Sequence, residues 1–108
     1  MQGFWTVQFS GVQGMGARVL TLIGGQIFGG DTSFLYRGAY IQHENKLTAQ
    51  VHVKRYAPGL PNVMGHDEFD LEFTGTLQGQ SITAVATVLG TPLRLNATLS
   101  KQGDLPVQ

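Results

Sequence analysis

An all-β domain closed into an eight-stranded antiparallel up-and-down β-barrel is the fold class this sequence predicts. Three observations carry the prediction. Eight short segments alternate apolar and polar residues with the period of two expected of strands that bury one face. Glycine-rich breaks separate them, drawn from fifteen glycines against only four prolines in 108 residues. No segment shows the helical period, so the strands have no helix to cover their edges, and closing the sheet removes both unpaired ladders at once.

The first strand runs from Phe4 to Ser10, with Trp5, Val7 and Phe9 on one face and Thr6 and Gln8 on the other. Trp5 is placed to plug one end of the core. After Gly11 to Gly16, a second strand from Ala17 to Ile23 turns at Gly24-Gly25 into a short third, Gln26 to Gly29, as a tight hairpin. The break Gly29-Gly30-Asp31-Thr32 precedes a fourth strand, Phe34 to Ile41, in which Phe34, Tyr36, Gly38 and Tyr40 share a face. His43-Glu44-Asn45 forms the next turn. The fifth strand, Lys46 to Tyr56, puts Leu47, Ala49, Val51 and Val53 inside and Thr48, Gln50, His52 and Lys54 outside.

The connection from Ala57 to Gly65 is the longest without a strand signal, and connections of that length in small domains are functional or mobile. The sixth strand, Glu68 to Leu77, alternates Phe69, Leu71 and Phe73 with Glu68, Asp70 and Glu72. Gln78-Gly79-Gln80 leads into a seventh, Ser81 to Leu89, and Gly90-Thr91-Pro92 into an eighth, Leu93 to Ser100. One barrel domain is expected over residues 1–100, with 101–108 a flexible tail. The inward set mixes bulk (Trp5, Phe69, Phe73) with small residues (Ala49, Gly75, Ala84), and eight strands enclose an interior just wide enough to be filled by side chains or to hold one small ligand.

Composition narrows the function classes. Seven basic residues balance seven acidic ones, so the chain lacks the electrostatic footprint of a protein that grips phosphate backbones, and direct nucleic-acid binding is not expected. Without cysteine there is no disulfide framework and no thiolate chemistry, which fits the cytoplasm. Met1 to Thr6 lacks the basic region and apolar run of a signal peptide, and no apolar stretch approaches the ~20 residues of a membrane-spanning helix. Asn96-Ala97-Thr98 matches the glycosylation sequon, which has no meaning outside a secretory pathway.

Candidate chemistry is thin. His66, Asp67, Glu68, Asp70 and Glu72 are the densest titratable cluster, but spacing two puts Glu68, Asp70 and Glu72 on the outer face of one strand, beside outward His52 and Lys54. That is the pattern of cross-strand charge pairing rather than of convergent ligands. His43, His52 and His66 have none of the short spacings of a zinc site, and no serine sits in a nucleophile elbow. The doublets Gly24-Gly25 and Gly29-Gly30 lack the lysine or helix of a phosphate cradle and read as turns. No catalytic residue, cofactor or metal is expected. Asp31 reads first as an Asx-type turn ahead of its strand and second as a ligand contact together with Tyr36, Tyr40 and Arg55; Arg55 and Tyr56 read first as a charge-paired rim.

Two strands are apolar on both faces. Val85 and Leu89 stand opposite Ile82, Ala84, Ala86 and Val88, and Leu20 and Leu22 stand opposite Val19 and Ile23. Such strands are usually covered on both sides, so Leu20, Leu22, Val85 and Leu89 are candidate dimer-interface residues.

Several blocks together resemble the GrlR-like family: Gly3-Phe4-Trp5-Thr6, Gly24 through Asp31, Tyr36-Arg37-Gly38-Ala39-Tyr40, Val51 through Tyr56, and Phe69 through Gly75. The family's namesake is a negative regulator of type III secretion genes in enteric bacteria. The resemblance implies a calycin-like or lipocalin-like barrel that forms a homodimer and acts by protein contact, sequestering a transcriptional activator instead of touching DNA. The namesake carries four acidic residues in an exposed loop; the corresponding turn here, Gln42-His43-Glu44-Asn45, has Glu44 alone. His43, Glu44 and Asn45 are thus candidate partner-binding residues. The leading expectation is a non-enzymatic cytoplasmic bacterial adaptor whose contact surfaces are the Glu44 turn, the apolar outer strands and the Pro58 to Gly65 loop. The alternative is a barrel that binds a small apolar ligand near Gly29 to Thr32, with Tyr36, Tyr40 and Arg55 as polar contacts.

Overall fold

In a computed structural model that describes residues 1–10, 17–31, 33–58 and 67–106, the chain forms eight antiparallel strands. These are β1 (Gly3–Ser10), β2 (Ala17–Ile23), β3 (Gln26–Gly30), β4 (Phe34–His43), β5 (Lys46–Arg55), β6 (Glu68–Gln78), β7 (Ser81–Val88) and β8 (Arg94–Gly103). Each strand pairs with its neighbour in sequence, and β1 pairs with β8 to close the barrel. The alternation read from the sequence sets the inside: Leu47, Ala49, Val51 and Val53 are buried, and Thr48, Gln50 and Lys54 between them are exposed. The interior is apolar while charges such as Glu68, Asp70 and Lys54 line the outside, the inverse of a barrel that faces lipid. Among the described residues no helix is long and apolar enough to cross a membrane.

The two ends of the barrel differ. At one end β2–β3, β4–β5 and β6–β7 turn through two residues each, Gly24-Gly25, Glu44-Asn45 and Gly79-Gln80. Such tight hairpins need positive φ, supplied by glycine in the first and third and by Glu44, at φ 56°, in the second. Trp5 lies near this end, 1% exposed, with its indole Nε1 donating to the Met1 carbonyl at 2.9 Å. The opposite end carries the longer connections and is called the mouth below.

Two expectations are corrected. Residues 101–103 are not tail but the end of β8: Lys101 pairs with Trp5 and Gly103 with Phe4, and Lys101 Nζ meets Asp104 Oδ1 at 2.7 Å. Leu20 and Leu22 are not interface residues. Both point into the core at 5% and 1% exposure, and it is Val19 and Ile23 that face outward. In a strand apolar on both sides, alternation defines two rows but not which is inside; here the inner row is fixed by packing onto Val7, Phe9 and Tyr36 in one core.

Candidate functional site

The mouth of the barrel holds a connected polar group. Asp31 leaves β3 after Gly30 and turns the chain into β4: its Oδ1 accepts from the backbone amides of Ser33 (2.9 Å) and Phe34 (2.8 Å), the Asx-type turn expected at this position. Its Oδ2 accepts from the Tyr36 hydroxyl at 2.9 Å, and Arg18 Nε donates to the Tyr36 oxygen at 2.5 Å while lying 3.5 Å from Asp31 Oδ2. The Tyr56 hydroxyl donates to the Asp31 carbonyl, and the Tyr56 amide to the Ser33 carbonyl at 2.9 Å. One turn thus ties together β2, β4 and the chain beyond β5.

Arg18 escaped the sequence reading. Its signal was present: it occupies the same alternating row as Leu20 and Leu22, so once that row is inside, a guanidinium stands at the rim of the core and requires a carboxylate nearby. Asp31 answers that need. Arg55, expected beside Asp31, instead pairs with Asp67 (Nε to Oδ1, 2.7 Å) and lies over the Phe34 ring at 4.4 Å, the charge-paired rim anticipated for it. Tyr40 is on the Tyr36 face but four residues further along β4, about 13 Å at strand rise, and belongs to the other end of the barrel.

Electrostatics separates this group from an acid–base pair. Burial pushes the Tyr36 phenol up to about 12; Arg18 opposes this, and Asp31 adds to it. Burial also pulls the Asp31 carboxyl upward, but the amides of Ser33 and Phe34, the Tyr36 hydroxyl and Arg18 together outweigh it and hold the carboxyl below its ordinary value. Both groups move away from neutrality, whereas proton-transfer residues are tuned toward it. The arrangement acts as a strut.

The interior behind Arg18 is packed. The void lined there by Val7, Phe9, Arg18, Leu20, Tyr36 and Phe73 measures about 20 Å³, room for about one water. Small-molecule sites run to roughly 300–1,000 Å³.

On the outer face, His52 is clamped between two carboxylates, with Nδ1 2.8 Å from Asp70 Oδ1 and Nε2 2.8 Å from Glu68 Oε2. A neutral imidazole carries one N–H, so satisfying both acceptors requires the imidazolium. The hydrogen bonds to Asp70 and Glu68 accordingly raise the His52 pKa above 6.5. Because the folded value is the higher one, the clamp stabilises fully below about 6.5 and is lost as pH rises through the folded pKa. With partners exposed to solvent its worth stays under about 1 kcal/mol. The melting-temperature gap between the native chain and His52→Gln should be present at about pH 5.5 and close by about pH 9; a gap independent of pH would mean that the ring is neutral and the clamp inert.

The remaining expected residues are scattered. His43, Glu44 and Asn45 are all exposed on the β4–β5 turn, where Gln42 Nε2 caps the Glu44 carbonyl at 2.9 Å. Val85 and Leu89 are exposed at 42% and 43%. Larger apolar exposure lies elsewhere, on β2 to β4: Val19, Phe28 and Leu35 are each about half exposed, and Val19 and Leu35 flank Gly30 in one cross-strand row. From residue 59 the loop expected at Pro58 to Gly65 lies outside the described residues, as does His66. Among the described residues no cluster of His, Cys, Asp and Glu could hold a metal ion. Comparison with models of known protein families and with curated proteins finds no match to this chain.

Proposed function

We propose that this barrel is a binding protein that works through its outer surface, as a homodimer and as a regulatory adaptor of the GrlR-like kind that contacts another protein. One observation carries the reading: large apolar side chains, Val19, Phe28 and Leu35, stand together on the outer face, while the void behind Arg18 measures only about 20 Å³. The Glu44 turn, exposed and held in a fixed left-handed conformation, supplies a second rigid contact.

Native mass spectrometry of the purified chain tests the reading. A dimer without added mass is the expected result. A single chain carrying a stoichiometric small adduct would transfer the function to the barrel interior. For partner contact, Glu44→Lys and Val85→Lys should each reduce co-purification of a regulatory protein retained by the native chain, with far-UV circular dichroism unchanged; equal retention by all three would remove those surfaces.

A second reading, a barrel that binds a small molecule, draws on Arg18. Its Nε is engaged, but among the described residues neither terminal amino group has a protein acceptor, and the side chain retains 11% exposure beside the void. The void confines such a ligand to a small anion at the mouth. A ligand panel should then raise the melting temperature in a saturable way, by about 2.7 kcal/mol of stability at a hundred times its dissociation constant. A flat panel would eliminate this reading.

A further inference from the structure

The outer face carries a knob and a hole on adjoining strands. Phe28 on β3, 48% exposed, is the knob. The hole is an open depression of about 310 Å³ across β4, β5 and β6, lined by Ala39, Ile41, Thr48, Ala49, Gln50 and Glu72. Its floor is shallow in side chain because Ala39 stands where its outward neighbours on β4 are Arg37 and the 71%-exposed Ile41. The space admits an aromatic ring. Knob and hole are neighbours, since Phe28 is registered against Arg37 and the next outward pair along the same two strands is Gln26 against Ala39.

Charges follow the same division. Arg37 stands beside the knob, and among the described residues its guanidinium has no side-chain partner: His52, registered against it on β5, already engages Asp70 and Glu68. Glu72 lines the hole and likewise has no ion-pair partner among the described residues. Arg37 and Glu72 sit on strands separated by β5 and form no ion pair with each other among the described residues.

A two-fold axis resolves both features together. In an isologous contact, a residue of one copy that meets a different residue of the second is matched by the reverse contact across the axis, so a surface bearing an apolar knob with a cation at one side and an apolar hole with an anion at the other is complementary to itself. We infer that the face formed by β3, β4, β5 and β6 is the dimer interface, with Phe28 of each chain seated against Ala39 and Ile41 of a second copy and Arg37 reaching the second copy's Glu72. This rests on the homodimer reading above and locates it away from Val85 and Leu89.

Sedimentation over a dilution series tests it. Phe28→Asp and, from the other side, Ala39→Gln should each raise the dimer dissociation constant at least about tenfold, the scale of a central contact residue. Both positions are exposed, and circular dichroism verifies that each variant folds. Arg37→Glu and Glu72→Arg should each weaken the dimer, and the double variant should restore it, because a two-fold contact then carries the reversed pair. A native dimer unaffected by either Phe28→Asp or Ala39→Gln would overturn this interface and leave the dimer itself standing. A native chain that is monomeric throughout the series would overturn both.

Discussion

Gly38→Ala should cost about 3 kcal/mol, the most damaging addition of one methyl group that the barrel offers. Gly38 is registered against Val51, and a Cβ built on it runs into the Gln50 carbonyl oxygen and lies 2.9 Å from both the Gln50 carbonyl carbon and the Val51 Cα. All three obstacles are backbone, so no rotamer change relieves them; β4 and β5 must part, loosening the ladder that carries both the Ala39 depression and the His52 clamp. For a domain near 100 residues that corresponds to a fall in melting temperature of about 12–24 °C. Gly79→Ala is the comparison. Gly79 has positive φ but open space around its Cβ position, so only the left-handed strain of about 1–2 kcal/mol applies. Equal losses at the two sites would show that backbone collision at Gly38 is not what makes it glycine.

Asp31→Ala should lower stability by about 2–4 kcal/mol at neutral pH. The substitution leaves the Ser33 and Phe34 amides and the Tyr36 hydroxyl without their acceptor, and strands the Arg18 guanidinium, 11% exposed, without its carboxylate. Asp31→Asn keeps one acceptor oxygen and removes the charge, so it should recover part of the loss. The pH dependence identifies the cause. The Asp31 carboxyl is held below its ordinary value of 3.8, so its contribution is present above that value and disappears as pH falls through the folded pKa. Chemical denaturation of the native chain and Asp31→Ala at pH 7 and at about pH 2.5 should give a wide gap at the first and a narrower one at the second. A gap of the same size at both would assign the effect to packing alone.

Most of the barrel was legible because alternation is a strong signal where one face is buried and the other wet. β5 and β6 follow it almost residue for residue, and the outer acidic row Glu68, Asp70 and Glu72 fell where the period put it. Strand ends were less legible. β4 extends past Ile41 to His43 and β8 past Ser100 to Gly103, because cross-strand hydrogen bonds continue where apolar patterning has stopped. β2 is ambiguous for the opposite reason: with apolar residues in both rows, pattern gives no orientation, and the row with Leu20 and Leu22 lies inside while Val19 and Ile23 face out. That same ambiguity hid Arg18, whose meaning depends on the orientation of the strand. The Phe28 and Ala39 juxtaposition was hidden differently. It depends on which residues of β3 and β4 stand abreast, and register across a closed sheet is set by the turns and by closure as much as by pattern.

The pairing of the first strand with the last gives the molecule a cyclic order that its linear sequence conceals. Seven of the eight strand pairings join neighbours along the chain, while β1–β8 brings together segments from far apart, so the loop-closure entropy of assembly is concentrated in one seam. Joining Met1 to the end of β8 through a short linker and opening the chain at Glu44-Asn45 would make that seam a hairpin and turn the β4–β5 pairing into the new seam. The finished barrel would be the same, and the sequence of events by which it closes would not.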